Sequence, residues 1–119
     1  MKEKCFDIAF TEEEVKGFLD LMDMEPKNNR QLPHMFPMIA CKFVQELYIW
    51  PSPPILRKQS CIMYETMYVN HVYHVKIYVT NPIKKRHIMH AQQIIKIYDE
   101  EKCLFEGESD LIWNDIGSY

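Results

Sequence analysis

The residues best suited to moving a proton lie close together: the acidic stretch Asp23-Met24-Glu25-Pro26-Lys27-Asn28, with His34 a few positions on. A carboxylate and an imidazole aimed at one reacting atom form a general acid–base pair, and imidazole exchanges its proton near neutral pH, with a reference pKa of about 6.5. Asn28 cannot exchange a proton in that range. Losing one half of such a pair removes roughly two to four orders of magnitude of rate. His34 either serves as a base beside this acidic stretch or is a polar residue at the start of the next helix, and the second reading is favoured.

Other reactive side chains are spread along the chain. His71 and His74 are three apart, as are His87 and His90. Residues three apart on a strand face opposite sides, so neither pair chelates by itself. His74 and His90 meet across a hairpin only if the register allows. Solvent-facing histidines are the favoured reading, and no metal site is expected. Cys5, Cys41, Cys61 and Cys103 include no close pair, which argues against zinc and redox dithiols and for four reduced, mostly buried thiols. A buried structural role for Cys41 outweighs a nucleophilic one. Two basic patches stand out, Arg57-Lys58 and Lys84-Lys85-Arg86-His87.

The elements that must position these groups begin with a helix. Thr11 is a good N-cap, Glu14 completes a capping box, and Val15, Phe18, Leu19 and Met22 follow at helical spacing. Pro26 and the polar run after it end that helix. Pro33-His34-Met35-Phe36-Pro37-Met38-Ile39-Ala40-Cys41 leads into a second helix from Pro37 to Tyr48, apolar enough to be buried on most of its surface. Trp50-Pro51-Ser52-Pro53-Pro54 is a loop. From Ser60 onward the pattern is that of strands: Ile62 to Tyr68, Val72 to Thr80, Arg86 to Tyr98 and Cys103 to Trp113. Turns are expected at Asn81-Pro82-Ile83-Lys84 and Asp99-Glu100-Glu101-Lys102. Gly107 marks a bulge or a close backbone approach.

The 119 residues suffice for one domain, and 47% hydrophobic with 26% charged residues is ordinary for an α+β globule. A formal charge of −3 gives no push toward nucleic acid. No apolar run reaches the ~20 residues of a membrane span. Met1-Lys2-Glu3-Lys4 runs straight into structure without a signal segment, so a cytoplasmic protein is expected.

From about Phe6 to Trp113 this pattern resembles the MaoC-like hot-dog hydratases and dehydratases. The likeness is carried by Phe10-Thr11-Glu12-Glu13-Glu14-Val15, by the closing pair Ile94 to Asp99 and Leu104 to Glu108, and by the acidic loop. The family loop reads Gly-Asp-x-Asn-Pro-hydrophobic-His. Here Asp23 and Pro26 match, whereas Met22 replaces the Gly, Glu25 the Asn and Asn28 the His. The family's Pro and Gly-Asp between strands are also missing from Tyr68 to Tyr73, so one longer bent strand could replace the turn there.

The resemblance implies a single hot-dog domain over 1–119, an antiparallel sheet wrapped around a long central helix. It also implies a homodimer joined edge to edge, or a heterodimer with an active relative. The ligand would be a 2-enoyl or 3-hydroxyacyl thioester of CoA or acyl-carrier protein, its phosphates met by a basic patch, with no cofactor or metal. Asp23, Asn28 and His34 would form the degenerate catalytic set, and Met35, Phe36, Met38 and Cys41 would border the acyl chain. Pro33-His34-Met35-Phe36-Pro37 looks like the non-catalytic, substrate-holding half of such heterodimers, so an accessory subunit is the alternative. A thioesterase is a weaker one.

Overall fold

The alternation of Val75, Ile77 and Val79 with His74, Lys76 and Tyr78 becomes a strand with one dry face and one wet face. The computed structural model describes residues 2–22, 30–40 and 55–114. Strand β1 (Lys2–Ala9) precedes helix α1 (Glu12–Leu21), and the strands β2 (Ile55–Met63), β3 (Val72–Val79), β4 (Ile83–Lys85), β5 (Ile88–Asp99) and β6 (Lys102–Asn114) follow. They form one antiparallel sheet in the order β1-β3-β5-β6-β2, with β4 added beside the start of β5.

The core lies on one face of this sheet. Tyr73, Val75, Ile77 and Val79 of β3, Ala91, Ile95 and Ile97 of β5, and Phe105, Leu111 and Trp113 of β6 are buried there at every second position. Helix α1 closes one end. Thr11 Oγ1 accepts from Glu14 N–H at 3.1 Å, and Glu14 Oε1 accepts from Thr11 N–H at 3.1 Å, the capping box expected from the sequence. Val15 and Leu19 turn inward. The Phe36 ring sits edge-on to Phe10 and to Phe18, each at 5.4 Å between centroids.

Several boundaries differ from the sequence reading. β1 has no counterpart in it. β2 begins at Ile55, well before Ser60, because a strand that among the described residues pairs with β6 alone tolerates polar residues on both faces and so hides its period. Ile62 to Tyr68 is not one strand: the chain bends at Tyr64-Glu65, and Tyr68 makes a single bridge to Gln31. Asn70, at φ 59°, makes the turn before β3 and donates its N–H to Phe10 O at 2.7 Å, so no long bent strand forms.

The turn after β3 also moves. Ile83–Lys85 pairs with β5, and the reversal falls at Arg86-His87. Asp99↔Lys102 closes the last hairpin as expected. Gly107 is a close approach, since an added Cβ would meet Met38 Sδ at 2.2 Å, and the bulge lies beside Leu104 instead. Of the second helix, residues 36–40 form a 3-10 turn, and Cys41 onward lies outside the described residues.

Candidate functional site

The segment that carries His34 is pinned to the start of β3. Leu32 N–H donates to Met67 O at 2.8 Å, and Val69 N–H donates to Arg30 O at 2.8 Å. His34 and Met35 then project from an exposed turn, closed by Phe36 N–H donating to Pro33 O at 3.1 Å. Pro37 fits there because the turn needs no donor from it. Phe36 is buried between α1 and Phe10, and Met38 reaches inward to Gly107 and Ile95. Met35 is half exposed. Of the residues singled out from sequence, Met35 thus borders solvent with His34, while Phe36 and Met38 are part of the core. Asp23, Asn28 and Cys41 lie outside the described residues.

Beside this segment is a cleft that spacing along the chain did not reveal. His71 Nε2 lies 3.0 Å from Asp99 Oδ2, although 28 positions separate them. The His71 ring stacks obliquely on Tyr73 at 4.7 Å. Tyr73 Oη accepts the Tyr68 N–H at 2.8 Å, and burial pushes its phenol above the usual range. Lys102 pairs with Glu65 on the opposite wall, and the cleft measures about 630 Å³. A carboxylate that orients an imidazole can serve proton transfer, yet His71 is half exposed. Only the fold brings these residues together: the antiparallel pairing of β3 with β5 sets Asp99, at the end of β5, beside the start of β3.

The remaining histidines face outward. His74 Nδ1 is 3.0 Å from Asp7 Oδ1 on the wet face of the sheet, where exposed ion pairs contribute little. His74 lies opposite Tyr98 and His90 opposite Ile83 and Ile112, so the register keeps the two apart. Among the described residues no three His, Cys, Asp or Glu side chains converge as a metal site. Cys5, Cys61 and Cys103 are free thiols, but Cys5 is exposed and the other two only half buried: Cys5 and Cys61 lie on the outer strands β1 and β2, and Cys103 beside the β5–β6 turn. No helix among the described residues is long and apolar enough to cross a membrane.

No protein-family model matches the sequence, and no curated protein matches it either. Solved structures do. HtdX of Mycobacterium tuberculosis superposes with a TM-score of 0.79 at 9% identity over 94% of this chain, which spans 51% of that protein. The HadBC (3R-hydroxyacyl-ACP dehydratase) complex of the same organism gives 0.77 at 9% identity, covering 94% of this chain and 96% of that one. The (R)-hydratase from A. caviae gives 0.65 at 14%, covering 92% of both. The chain has the hot-dog fold of these hydratases and dehydratases, at 9–14% sequence identity.

Proposed function

We propose that this chain is an acyl-thioester protein derived from the hot-dog hydratases and dehydratases, with a degenerate acid–base site. The observation that carries this reading is the superposition on HadBC across almost the full length of both chains. Its ligand is a 2-enoyl or 3-hydroxyacyl thioester of CoA or of a carrier protein, in the cytoplasm. If the site turns over, the Asp23 carboxylate takes a proton from water as the oxygen adds to the enoyl β-carbon, and a proton is returned to the α-carbon. Asn28 or His34 holds the water or the thioester carbonyl.

The second reading is a non-catalytic, acyl-holding subunit. It is favoured by Asn28 standing where the family pattern has its histidine. Purified protein assayed with crotonyl-CoA separates the two. Turnover that Asp23→Asn abolishes overturns the accessory reading, and bound acyl-CoA without turnover overturns the enzyme reading. Release of free CoA thiol from a saturated acyl-CoA would instead reveal a thioesterase.

We further assign a homodimer joined through β2, or a heterodimer with an active relative. Both β1 and β2 are edge strands. β1 carries Glu3, Lys4 and Asp7 against Lys76 and His74, the charge pattern that blunts an edge. β2 instead presents Ile55, Leu56 and Ile62, each more than half exposed. An edge of that composition calls for a partner strand.

A further inference from the structure

The stretch Asp23 to Asn28 contains no imidazole, whereas an imidazole oriented by a carboxylate stands in the cleft beside the His34 segment. His71 Nε2 faces Asp99 Oδ2 at 3.0 Å. A carboxylate only accepts, so Nε2 carries the ring proton and Nδ1 keeps the lone pair of a base. Tyr73 fixes the ring from a second side, tilted at 55° with the centroids 4.7 Å apart. Tyr73 is itself buried, and its hydroxyl is anchored to the Tyr68 N–H at 2.8 Å.

The place of this pair in the fold sets it apart from a surface ion pair. His71 stacks on Tyr73, whose side chain belongs to the dry face of β3 with Val75 and Ile77, and Asp99 continues the face of Ile95 and Ile97. The His74–Asp7 pair, of equal length, lies on the wet face. Asn70 and Glu100, the neighbours of His71 and Asp99, both take left-handed backbone, at φ 59° and 55°. That conformation strains a glutamate, and strain held beside a cleft points to function.

The cleft shares a wall with the candidate acyl segment. Tyr64 N–H donates to Leu104 O at 2.8 Å, and the Leu32–Met67 and Val69–Arg30 bonds tie the same strip to residues 30–32. This pairing is antiparallel, so the chain passes from Leu32 to His34 on the Thr66 side, and Glu65 and Thr66 both line the cleft. Its volume of about 630 Å³ is that of a small-molecule site. A ligand filling it takes the half-exposed pair out of water, where the carboxylate holds the imidazole more strongly.

We propose that His71, held by Asp99, is a catalytic acid–base residue acting at the α-carbon of the bound acyl thioester. The substrate rests on the acyl-thioester reading; the base itself rests on the geometry of the cleft. In dehydration of a 3-hydroxyacyl thioester, Nδ1 takes the α-proton and the C–H electron pair becomes the new double bond. The β-hydroxyl leaves as water with a proton from the Asp23 carboxyl, the reverse of the uptake proposed above. The proton gained by His71 restores Asp23 through solvent, so the cycle releases water alone. In hydration the imidazolium gives its proton to the α-carbon.

The full chain is tested with crotonyl-CoA for turnover, with 3-hydroxybutyryl-CoA in heavy water for α-deuterium uptake, and by calorimetry for acyl-CoA affinity. His71→Gln is expected to lower turnover and α-exchange by roughly 100-fold or more, with affinity kept within about threefold. His71→Asn serves should the glutamine disturb folding. Asp99→Asn should lower both rates by roughly tenfold or more, and Asp99→Glu should recover part of the loss. Asp7→Asn, in the wet-face pair, should change neither rate. Asp23→Asn should stop turnover yet keep α-exchange, because the two halves of the reaction are separate.

Turnover and α-exchange that survive His71→Gln overturn the assignment; if Asp23→Asn still abolishes turnover, the enzyme reading stands without it. A His71→Gln protein that loses affinity in proportion to turnover overturns the catalytic role and makes His71 a binding residue. Acyl-CoA bound by wild type without turnover or exchange also overturns it and leaves the acyl-holding reading. No binding of either acyl-CoA removes the acyl-thioester reading and the role of His71 together.

Discussion

Gly107 shows how one residue can couple the sheet to the segment that carries the candidate site. An added Cβ would fall 2.2 Å from Met38 Sδ and 2.9 Å from Ile95 Cγ2, and Ile95 is fully buried. Met38 is four residues from His34. Gly107→Ala is expected to cost about 1–3 kcal/mol by overpacking, read as a shift in denaturant midpoint. In a Met38→Ala background the same change should cost clearly less, because the nearest atom is gone. Equal costs in both backgrounds would mean that Ile95 or the backbone takes the strain instead. Tyr73 provides a second residue-scale case. Its hydroxyl accepts the Tyr68 N–H at 2.8 Å, and burial raises its pKa, so the fold favours the neutral phenol. The unfolded chain ionises near the ordinary tyrosine value of about 10. The stability tied to Tyr73 is therefore complete below that pH and is lost as pH climbs through the raised folded value. Tyr73→Phe should be less stable by about 1 kcal/mol at neutral pH, with the Tyr68 N–H left unpaired, and should lose less stability than wild type on going to alkaline pH. A parallel loss in both proteins would show that Tyr73 is not the group responsible.

At the scale of elements, legibility followed the strength of local chemistry. The helix start was readable because Thr11 and Glu14 satisfy the free N–H groups within four residues. β3 was readable because its dry face alternates without interruption, and the last turn because four charged residues separate two apolar runs. β2 was not, since among the described residues it has no second neighbour to impose a period on Arg57 to Ser60. The His71–Asp99 pair was not either, because only the non-local pairing of β3 with β5 brings those residues together. The acidic loop is a likeness in sequence alone, since Asp23 and Asn28 lie outside the described residues. The Arg86-His87 turn is the element where local preference and structure conflict, and it can be tested directly. Arg86→Asn combined with His87→Gly supplies the residues such a turn favours and should raise stability by about 1–2 kcal/mol. A gain in melting temperature is the expected outcome of relieving two left-handed non-glycine residues. A fall in melting temperature would show that the left-handed backbone is relieved by contacts of the Arg86 and His87 side chains.

At the scale of the molecule, the two edges of the sheet make opposite predictions. β1 carries charges that pair across to β3, with Lys76 Nζ 3.7 Å from Glu3 Oε1 and His74 beside Asp7, so its edge is already suited to water. β2 leaves Ile55, Leu56 and Ile62 exposed along nine residues of strand. A two-fold pairing there continues the sheet into a second copy and covers those side chains. Sedimentation should therefore show a species of about twice the 14.3 kDa chain, and its melting temperature should rise with protein concentration. Leu56→Lys with Ile62→Lys should return the mass to that of one chain and abolish the concentration dependence, with the sheet signal in circular dichroism retained. Lysines placed at Cys5 and Ala9 on the β1 edge should leave the dimer intact. A wild-type chain of single mass at every concentration would refute self-pairing. Dimers that survive the β2 lysines but dissociate with the β1 set would move the interface to the other edge.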